Sequence, residues 1–351
     1  MTKLLKLEPG ADRNRIVAEA AKTLKEGGLV VFPTETVYGL AANQSSSEAM
    51  ANLSEVKRRP SEKHYTLMLA NVEDVYRRLK KVPLLSRKVM NRFWPGPLTI
   101  VFGDEGEEGL GIRIPAADIA REIVKAASAP IIVTSANATG QPAATNAAQA
   151  QEYLEGKVDM IIDGGEARLK EPSTVVMFRG GTWQILREGL VSEDMIARHA
   201  HTTILFVCTG NSCRSPLAEV LCRRLLADKL ECTVGELEDF GYMVASAGTE
   251  ANAGFAASEE ARTVAREMGT RLDEHTTRPL TRRIILDADV IFTFTYAQLE
   301  HIKRMEPDSN GEVILLADTE ISDPSGSALD QFRDSARKIE EALKQRLEEF
   351  V

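Results

Sequence analysis

The sequence predicts an α/β protein built as two domains, and three observations predict it. The chain has 351 residues, which at roughly 100–200 residues per domain is room for two. Up to residue 190, short apolar runs and amphipathic stretches are mixed without strict alternation, which reads as an α+β or α/β core. From residue 202 the pattern becomes a regular strand–helix alternation, as in a doubly wound parallel sheet. The expected layout is a first domain over 12–190, a linker over 191–201 and a second domain over 202–351.

In chain order, the apolar spacing of Arg13 to Glu26 predicts a helix closed by Gly27-Gly28. A buried strand, LVVF at 29–32, is stopped by Pro33. Strand-like runs follow at 66–70, 98–102, 111–114, 130–135, 159–163, 173–178 and 182–187, with helical stretches near 46–57, 83–93, 116–127 and 145–154. Residues 188–201 read as one exposed helix and a turn. The second half predicts strands at 202–208, 242–246, 289–294 and 312–315, interleaved with helices at 215–229, 257–268, 279–286, 296–304 and 327–349.

Hydrophobic residues make up 43% and charged residues 27% of the chain, which excludes a disordered or fibrous protein. The net charge of −9 is that of an ordinary acidic enzyme, so contact with nucleic acid would need a local basic patch. No apolar run reaches the roughly 18 residues of a membrane span, and the opening MTKLLKLEPGADRNRI lacks a signal-peptide apolar core. The expectation is a cytoplasmic protein with no membrane partner. Four cysteines, Cys208, Cys213, Cys222 and Cys232, make no disulfide scaffold and fit a reducing compartment. None has metal-binding C-x2-C spacing.

The strongest chemical signal is CTGNSCRSP at 208–216, between a buried strand and a helix. A loop entering a helix N-terminus points several backbone N–H groups at one spot and forms an anion site. Cys208 opens the loop and Arg214 closes it, so Thr209, Gly210, Asn211, Ser212 and Cys213 can wrap one phosphoryl group. The sulfur then lies beneath it, and the guanidinium grips two of its oxygens. The same field should depress the Cys208 pKa and make it a nucleophile. Ser215 can donate to the sulfur, and Asn211 can brace the loop. A leaving group needs a proton, and Asp323, before Pro324, is the candidate acid.

These residues resemble the low-molecular-weight protein tyrosine phosphatase family over roughly 202–350. CTGNSCRSPLAE matches its signature loop, SAGT at 246–249 an internal landmark, and Asp323-Pro324 its acid. The resemblance implies a four-stranded parallel sheet with flanking helices, no cofactor, and a phosphoprotein substrate cleaved through a cysteinyl-phosphate. Tyrosine phosphatases of the family usually have an aliphatic residue where this chain has Ser212, and aromatics after the Asp-Pro, where this chain reads DPSGSA. Both departures resemble the bacterial protein-arginine phosphatase branch and favour phosphoarginine over phosphotyrosine. Arsenate reduction, a third reading, needs resolving cysteines, and none follows Cys232. The family position of Cys213 implies a protective disulfide with Cys208 under oxidation; packing of the loop is the alternative. Cys222 and Cys232 read as fillers.

The first half has no Walker loop. It has PTETVYGL at 33–40 after a buried strand, KRRP at 57–60, Arg113 in GIRIP, TSAN at 134–137, Ser173-Thr174 and Arg187. A basic helix end such as KRRP also has a plain reading, a favourable dipole interaction. Together these pieces, with TSANATGQPA at 134–143, PSTVV at 172–176 and LREG at 186–189, resemble the YrdC-like family over roughly 12–190. The resemblance implies a twisted, mostly parallel sheet lining a large, positively charged concave surface. It also implies synthesis of threonylcarbamoyl-AMP from L-threonine, bicarbonate and ATP with Mg²⁺. The product would serve adenosine 37 of certain tRNAs, making tRNA or its modification proteins the implied partners. Lys57, Arg59, Arg113 and Arg187 would offset triphosphate charge, Ser135 and Asn137 would hold the adenylate, and Thr34, helped by Ser173, would contact threonine. The stretch SEKHYTLMLA at 61–70 departs from the synthases and resembles the YciO branch; His64 would line the pocket or be an ordinary loop residue. His199, His201, His275 and His301 read as structural or solvated. Two organisations remain open: a bifunctional enzyme, or a phosphatase carrying a non-catalytic module that binds nucleotide or double-stranded RNA.

Overall fold

The computed structural model describes residues 1–351 apart from 9, 59–64, 104–108, 139, 308 and 310. Arg59 and His64 therefore lie outside the described residues. The chain divides into two compact units, residues 1–82 with 86–199 and residues 83–85 with 200–351.

The elements up to residue 199 are β1 (Lys3–Lys6), α1 (Arg13–Lys25), β2 (Val30–Phe32), β3 (Gly39–Asn43), α2 (Ser47–Lys57), β4 (Thr66–Met68), α3 (Glu73–Arg78), α4 (Leu84–Phe93), β5 (Leu98–Phe102), β6 (Leu110–Arg113), α5 (Asp118–Ala127), β7 (Ile131–Ser135), α6 (Ala147–Leu154), β8 (Met160–Asp163), β9 (Thr174–Arg179), β10 (Thr182–Arg187) and α7 (Glu193–Ala197). Asp12 caps α1 by accepting from the Arg15 N–H, which satisfies an orphan donor of the first turn. Ile16, Ala20, Ala21 and Leu24 form its buried stripe and pack with Phe32, Ile123 and Ile162.

One ten-stranded sheet runs β1-β8-β2-β3-β7-β4-β6-β5-β9-β10. It is mixed rather than mostly parallel. Among the described residues β1–β8, β2–β8, β4–β6 and β5–β9 pair parallel, and the other five neighbours pair antiparallel. Connection length accounts for three of the antiparallel pairs, β2–β3, β5–β6 and β9–β10, whose strands follow one another closely, whereas parallel neighbours need a long crossover; β3–β7 and β4–β7 pair antiparallel across long connections. Two strands lack a clear sequence signal. β3 reads GLAAN, poor in strand-forming side chains, yet every residue is buried between β2 and β7. β1, KLLK, is a short edge strand with a lysine at each end, the composition that blunts a free edge. The six-residue helix α3 is also absent from the sequence pattern. Helix α7 is not simply exposed, since Ile196 is fully buried. Val191 exchanges hydrogen bonds with the Thr174 hydroxyl.

The second unit contains β11 (Thr202–Cys208), α8 (Arg214–Lys229), β12 (Tyr242–Gly248), α9 (Glu259–Glu267), α10 (Arg282–Asp287), β13 (Val290–Thr293), α11 (Tyr296–Met305), β14 (Glu312–Leu315) and α12 (Leu329–Phe350). The four strands lie in the order β12-β11-β13-β14, all parallel, as the regular alternation predicts. Strand β11 has successive neighbours on either side, so the topology reverses at its carboxyl end, where ligands bind in open α/β sheets. Cys208 is the last residue of that strand. No helix of the described residues is long and apolar enough to cross a membrane.

Candidate active sites

The loop from β11 to α8 folds as a cradle around Cys208. The thiol is buried, with Sγ 2.9 Å from Ser215 Oγ and 3.3 Å from the Asn211 N–H that donates to it. The loop turns at Asn211, whose φ of 53° lies in the left-handed region that asparagine tolerates. That conformation is held from every side. Asn211 Nδ2 donates to Ser215 Oγ and Ser246 Oγ, each at 2.9 Å. Its Oδ1 accepts from the Arg278 N–H at 2.8 Å, and its carbonyl meets His275 Nε2 at 2.9 Å. Thr209 Oγ1 accepts from Gln298 Nε2, and the Ser212 carbonyl accepts from the Ser258 N–H. Gly210 is exposed at the top of the loop. Cys213 occupies the α8 N-cap without a side-chain cap bond, which leaves first-turn N–H groups for an anion. Its Sγ lies 3.5 Å from Ser258 Oγ and from Ser325 Oγ.

Arg214 is 2% exposed. Its Nη1 donates to the Ile321 carbonyl at 2.9 Å, and Nη2 donates to Asp323 Oδ2. The guanidinium lies over the Phe294 ring. Its Nε is buried and has no hydrogen-bond partner among the described residues. A buried cationic donor without an acceptor is costly unless a ligand supplies one. The structure therefore brings Cys208, Arg214, Ser215 and Asp323 together. One expectation is corrected. Burial pushes the Cys208 thiol above its ordinary value, against the opposing pull of Ser215, Arg214 and the Asn211 N–H. Sequence reasoning counted the positive field but had no measure of how far the sulfur is withdrawn from water.

The N-terminal unit carries a cavity of about 530 Å³. Thr34, Arg113, Ser135, Asn137, Ser173 and Arg187 all line it. Ser135 Oγ donates to Asn137 Oδ1 at 2.6 Å. Arg187 Nη2 donates to the Ser173 carbonyl at 2.7 Å, and Ser173 Oγ lies 2.9 Å from Thr99 Oγ1. Lys57 stands apart. It is fully buried, and its ammonium donates to the carbonyls of Ser135 and Asn137 and to Asn137 Oδ1 at 2.7–2.9 Å. It holds the turn that lines the cavity. Arg113 forms a buried ion pair with Glu35, Nη2 to Oε1 at 2.7 Å. Burial pushes the Glu35 carboxyl up, but Arg113 and backbone donors outweigh it and hold it below its ordinary range.

Residues 22–189 match the Sua5, YciO and YrdC family, described as "Telomere recombination". Residues 203–350 match "Low molecular weight phosphotyrosine protein phosphatase". The threonylcarbamoyl-AMP synthase of Xanthomonas campestris is 32% identical over 183 residues, covering 48% of this chain and 95% of that protein. The chain belongs to the Sua5/YrdC family through its first half, and its second half carries a low-molecular-weight phosphatase domain. The threonylcarbamoyl-AMP synthase of Pyrococcus abyssi is 37% identical over 179 residues, 48% of this chain and 53% of its own length. The chain thus spans about half the length of that relative. A solved structure of a Sua5 variant from P. abyssi shares the fold, with 24% identity and a TM-score of 0.53 over 90% of this chain and 99% of that one.

In the phosphatase-family half, sequence reasoning missed Ser246, His275, Arg278 and Gln298, which reach the cradle from distant segments. His275 is structural, as expected, but in the service of the cradle. SAGT was a usable signal: a Cβ on Gly248 would sit 2.5 Å from the Thr209 carbonyl and 2.8 Å from Asn211 N, so only glycine fits beside the loop. In the Sua5/YrdC-family half, Glu35 was missed although PTETVYGL contains it.

Proposed function

We propose that the chain is a bifunctional enzyme. Its C-terminal half hydrolyses phosphorylated protein through a cysteinyl-phosphate. Its N-terminal half makes L-threonylcarbamoyladenylate from L-threonine, bicarbonate and ATP. The observation that carries the first part is the orphaned Nε of buried Arg214, in one network with Asp323 beside the Cys208 thiol.

The Cys208 thiolate attacks phosphorus, and the bond from phosphorus to the leaving group breaks. Asp323 gives that group its proton. Arg214 and the loop N–H groups carry the charge of the three phosphoryl oxygens. Ser215 and the Asn211 N–H stabilise the thiolate when it departs. Asp323 then takes a proton from water, whose oxygen attacks phosphorus; the S–P bond breaks, and phosphate leaves. Asp323→Asn should slow substrates with poor leaving groups by about 10²–10⁴-fold and good ones much less, as compared by kcat across a series of aryl phosphates. Equal losses would remove Asp323 as the acid.

We read the protein substrate as phosphoarginine rather than phosphotyrosine. The half-buried Ser212 carries a hydroxyl on the loop, 3.6 Å from Cys213 Sγ, and 323–328 offers no ring to stack on tyrosine. Ser212→Ile should raise the phosphotyrosine-to-phosphoarginine ratio of kcat/KM by about tenfold; an unchanged ratio contradicts this assignment.

In the N-terminal reaction the threonine amine joins bicarbonate with loss of water. The resulting carboxylate oxygen attacks the α-phosphorus of ATP, and pyrophosphate leaves. The lining hydroxyls and amides of Thr34, Ser135, Asn137 and Ser173 can hold the polar substrates, with Arg113 and Arg187 facing the phosphates. Among the described residues the cavity lining includes no carboxylate, so Mg²⁺ would enter as part of the ATP complex, held mainly by its phosphates and water. The product would be passed to tRNA. Threonine- and bicarbonate-dependent pyrophosphate release by the full chain tests this. ATP binding without pyrophosphate release supports the second reading, a nucleotide-binding module. Lys57 and Arg113 favour that reading in one respect, since both already have oxygen partners.

A further inference from the structure

We propose that Glu35 is a positioning residue that aims the Arg113 guanidinium into the N-terminal cavity. The proposal rests on the reading of that cavity as the ATP site. Glu35 lies on the loop between β2 and β3, and its carboxylate is spent on both oxygens: Oε1 on Arg113 Nη2 at 2.7 Å and Oε2 on the Ala117 N–H at 3.2 Å. Its own carbonyl accepts from the Leu169 N–H at 2.8 Å. One residue thus ties together strand β6, the start of α5 and the loop before β9.

The consequence falls on Arg113. Its Nη2 also donates to Thr36 Oγ1 at 2.8 Å, and its Nε donates to the Gly96 carbonyl at 3.3 Å. Thr36 Oγ1 in turn lies 2.8 Å from Thr34 Oγ1, on the cavity wall. With Nε and Nη2 fixed, a planar guanidinium has no rotational freedom left. Nη1 remains, with no hydrogen bond among the described residues, and Arg113 lines the cavity. Nη1 is therefore the donor presented to an anion. Glu35 balances the buried charge before that anion arrives and fixes the direction from which it is met.

Glu35→Gln keeps the shape but removes the charge, and its amide nitrogen must face a donor, either Arg113 or the Ala117 N–H. In the full chain, Glu35→Gln should raise the calorimetric Kd for ATP and the ATP KM about tenfold, with the threonine KM unchanged. Glu35→Asp should recover part of the loss. Combined with Arg113→Ala, Glu35→Gln should add nothing further, since it acts through Arg113. ATP binding at the wild-type level in Glu35→Gln, or full additivity with Arg113→Ala, overturns the proposal. A merely structural role would shift both substrates together. Should Glu35→Gln unfold, Thr36→Val decides: it removes the second acceptor of Nη2 together with the Thr34 contact, and an unchanged ATP Kd counts against the proposal. ATP binding without pyrophosphate release would end the synthase reading while leaving this test intact; no ATP binding by the unaltered chain ends both.

Discussion

Cys208→Ser should abolish phosphatase turnover, by at least roughly 10⁴-fold, while leaving the affinity for inorganic phosphate or vanadate within about threefold of the unaltered chain. The two readouts separate because two sets of groups do the two jobs. Anion affinity comes from Arg214, the loop N–H groups and the first turn of α8, none of which the substitution touches. Turnover needs a nucleophile that can form and release a bond to phosphorus, and a serine hydroxyl at that spot has no base to take its proton: its nearest partners are Ser215 Oγ and the Asn211 N–H. Phosphate binding by calorimetry and hydrolysis of a phosphorylated peptide check both halves. Loss of anion binding together with turnover would mean that the sulfur holds the loop in shape rather than doing chemistry. The raised thiol pKa adds a second expectation. The activity that depends on the thiolate should climb as the pH rises, because burial favours the neutral form.

The largest effect on stability should come from Glu35→Ala, which should destabilise the N-terminal unit by about 3–5 kcal/mol. The Glu35 and Arg113 side chains are 5% and 9% exposed, so the substitution strands the guanidinium without its charge partner in a largely buried position. Both tryptophans, Trp94 and Trp183, belong to this unit, and their fluorescence reports its unfolding separately from the phosphatase-family half. The pH dependence has a definite sign. The Glu35 carboxyl is held below its ordinary value of 4.5, so the pair's contribution is fully present above that value and is lost as the pH falls through the lower folded value. Urea unfolding at neutral pH and at progressively lower pH should show the gap between wild type and Glu35→Ala narrowing toward the acid side. A gap that stays constant with pH would place the loss in packing rather than in the ion pair.

How much of this was legible in the sequence differs between the halves. In residues 202–351 the strands centre on short apolar runs separated by helical stretches, and local signals suffice. The loop at 208–216 carries most of its chemistry within nine consecutive letters, so Cys208, Arg214 and Ser215 were readable at once. Ser246, His275 and Arg278 were not, because they reach Asn211 only after β12 and the segment before α10 have packed beside β11. The first half hid more. Strand β3 is made of glycine and alanine and owes its existence to neighbours on both sides. Whether neighbours pair parallel or antiparallel depends on loop lengths that blur at predicted boundaries. Lys57 and Arg113 were readable as cations near a polar pocket, but not as cations already bonded, since their partners Asn137 and Glu35 are 80 and 78 residues away. The thiol pKa failed for the same reason: the field of Arg214 is a local property, and burial is a tertiary one.

The most direct test of the central claim is to mix the full chain with a phosphorylated protein substrate, quench in acid within a turnover, and map the label by mass spectrometry. The account predicts one phosphoryl group on the sulfur of Cys208, accumulating further in an Asp323→Asn variant for good leaving groups because hydrolysis of the intermediate is slowed. Turnover with label on any other residue, or with none on Cys208 under conditions that trap the intermediate, would contradict it.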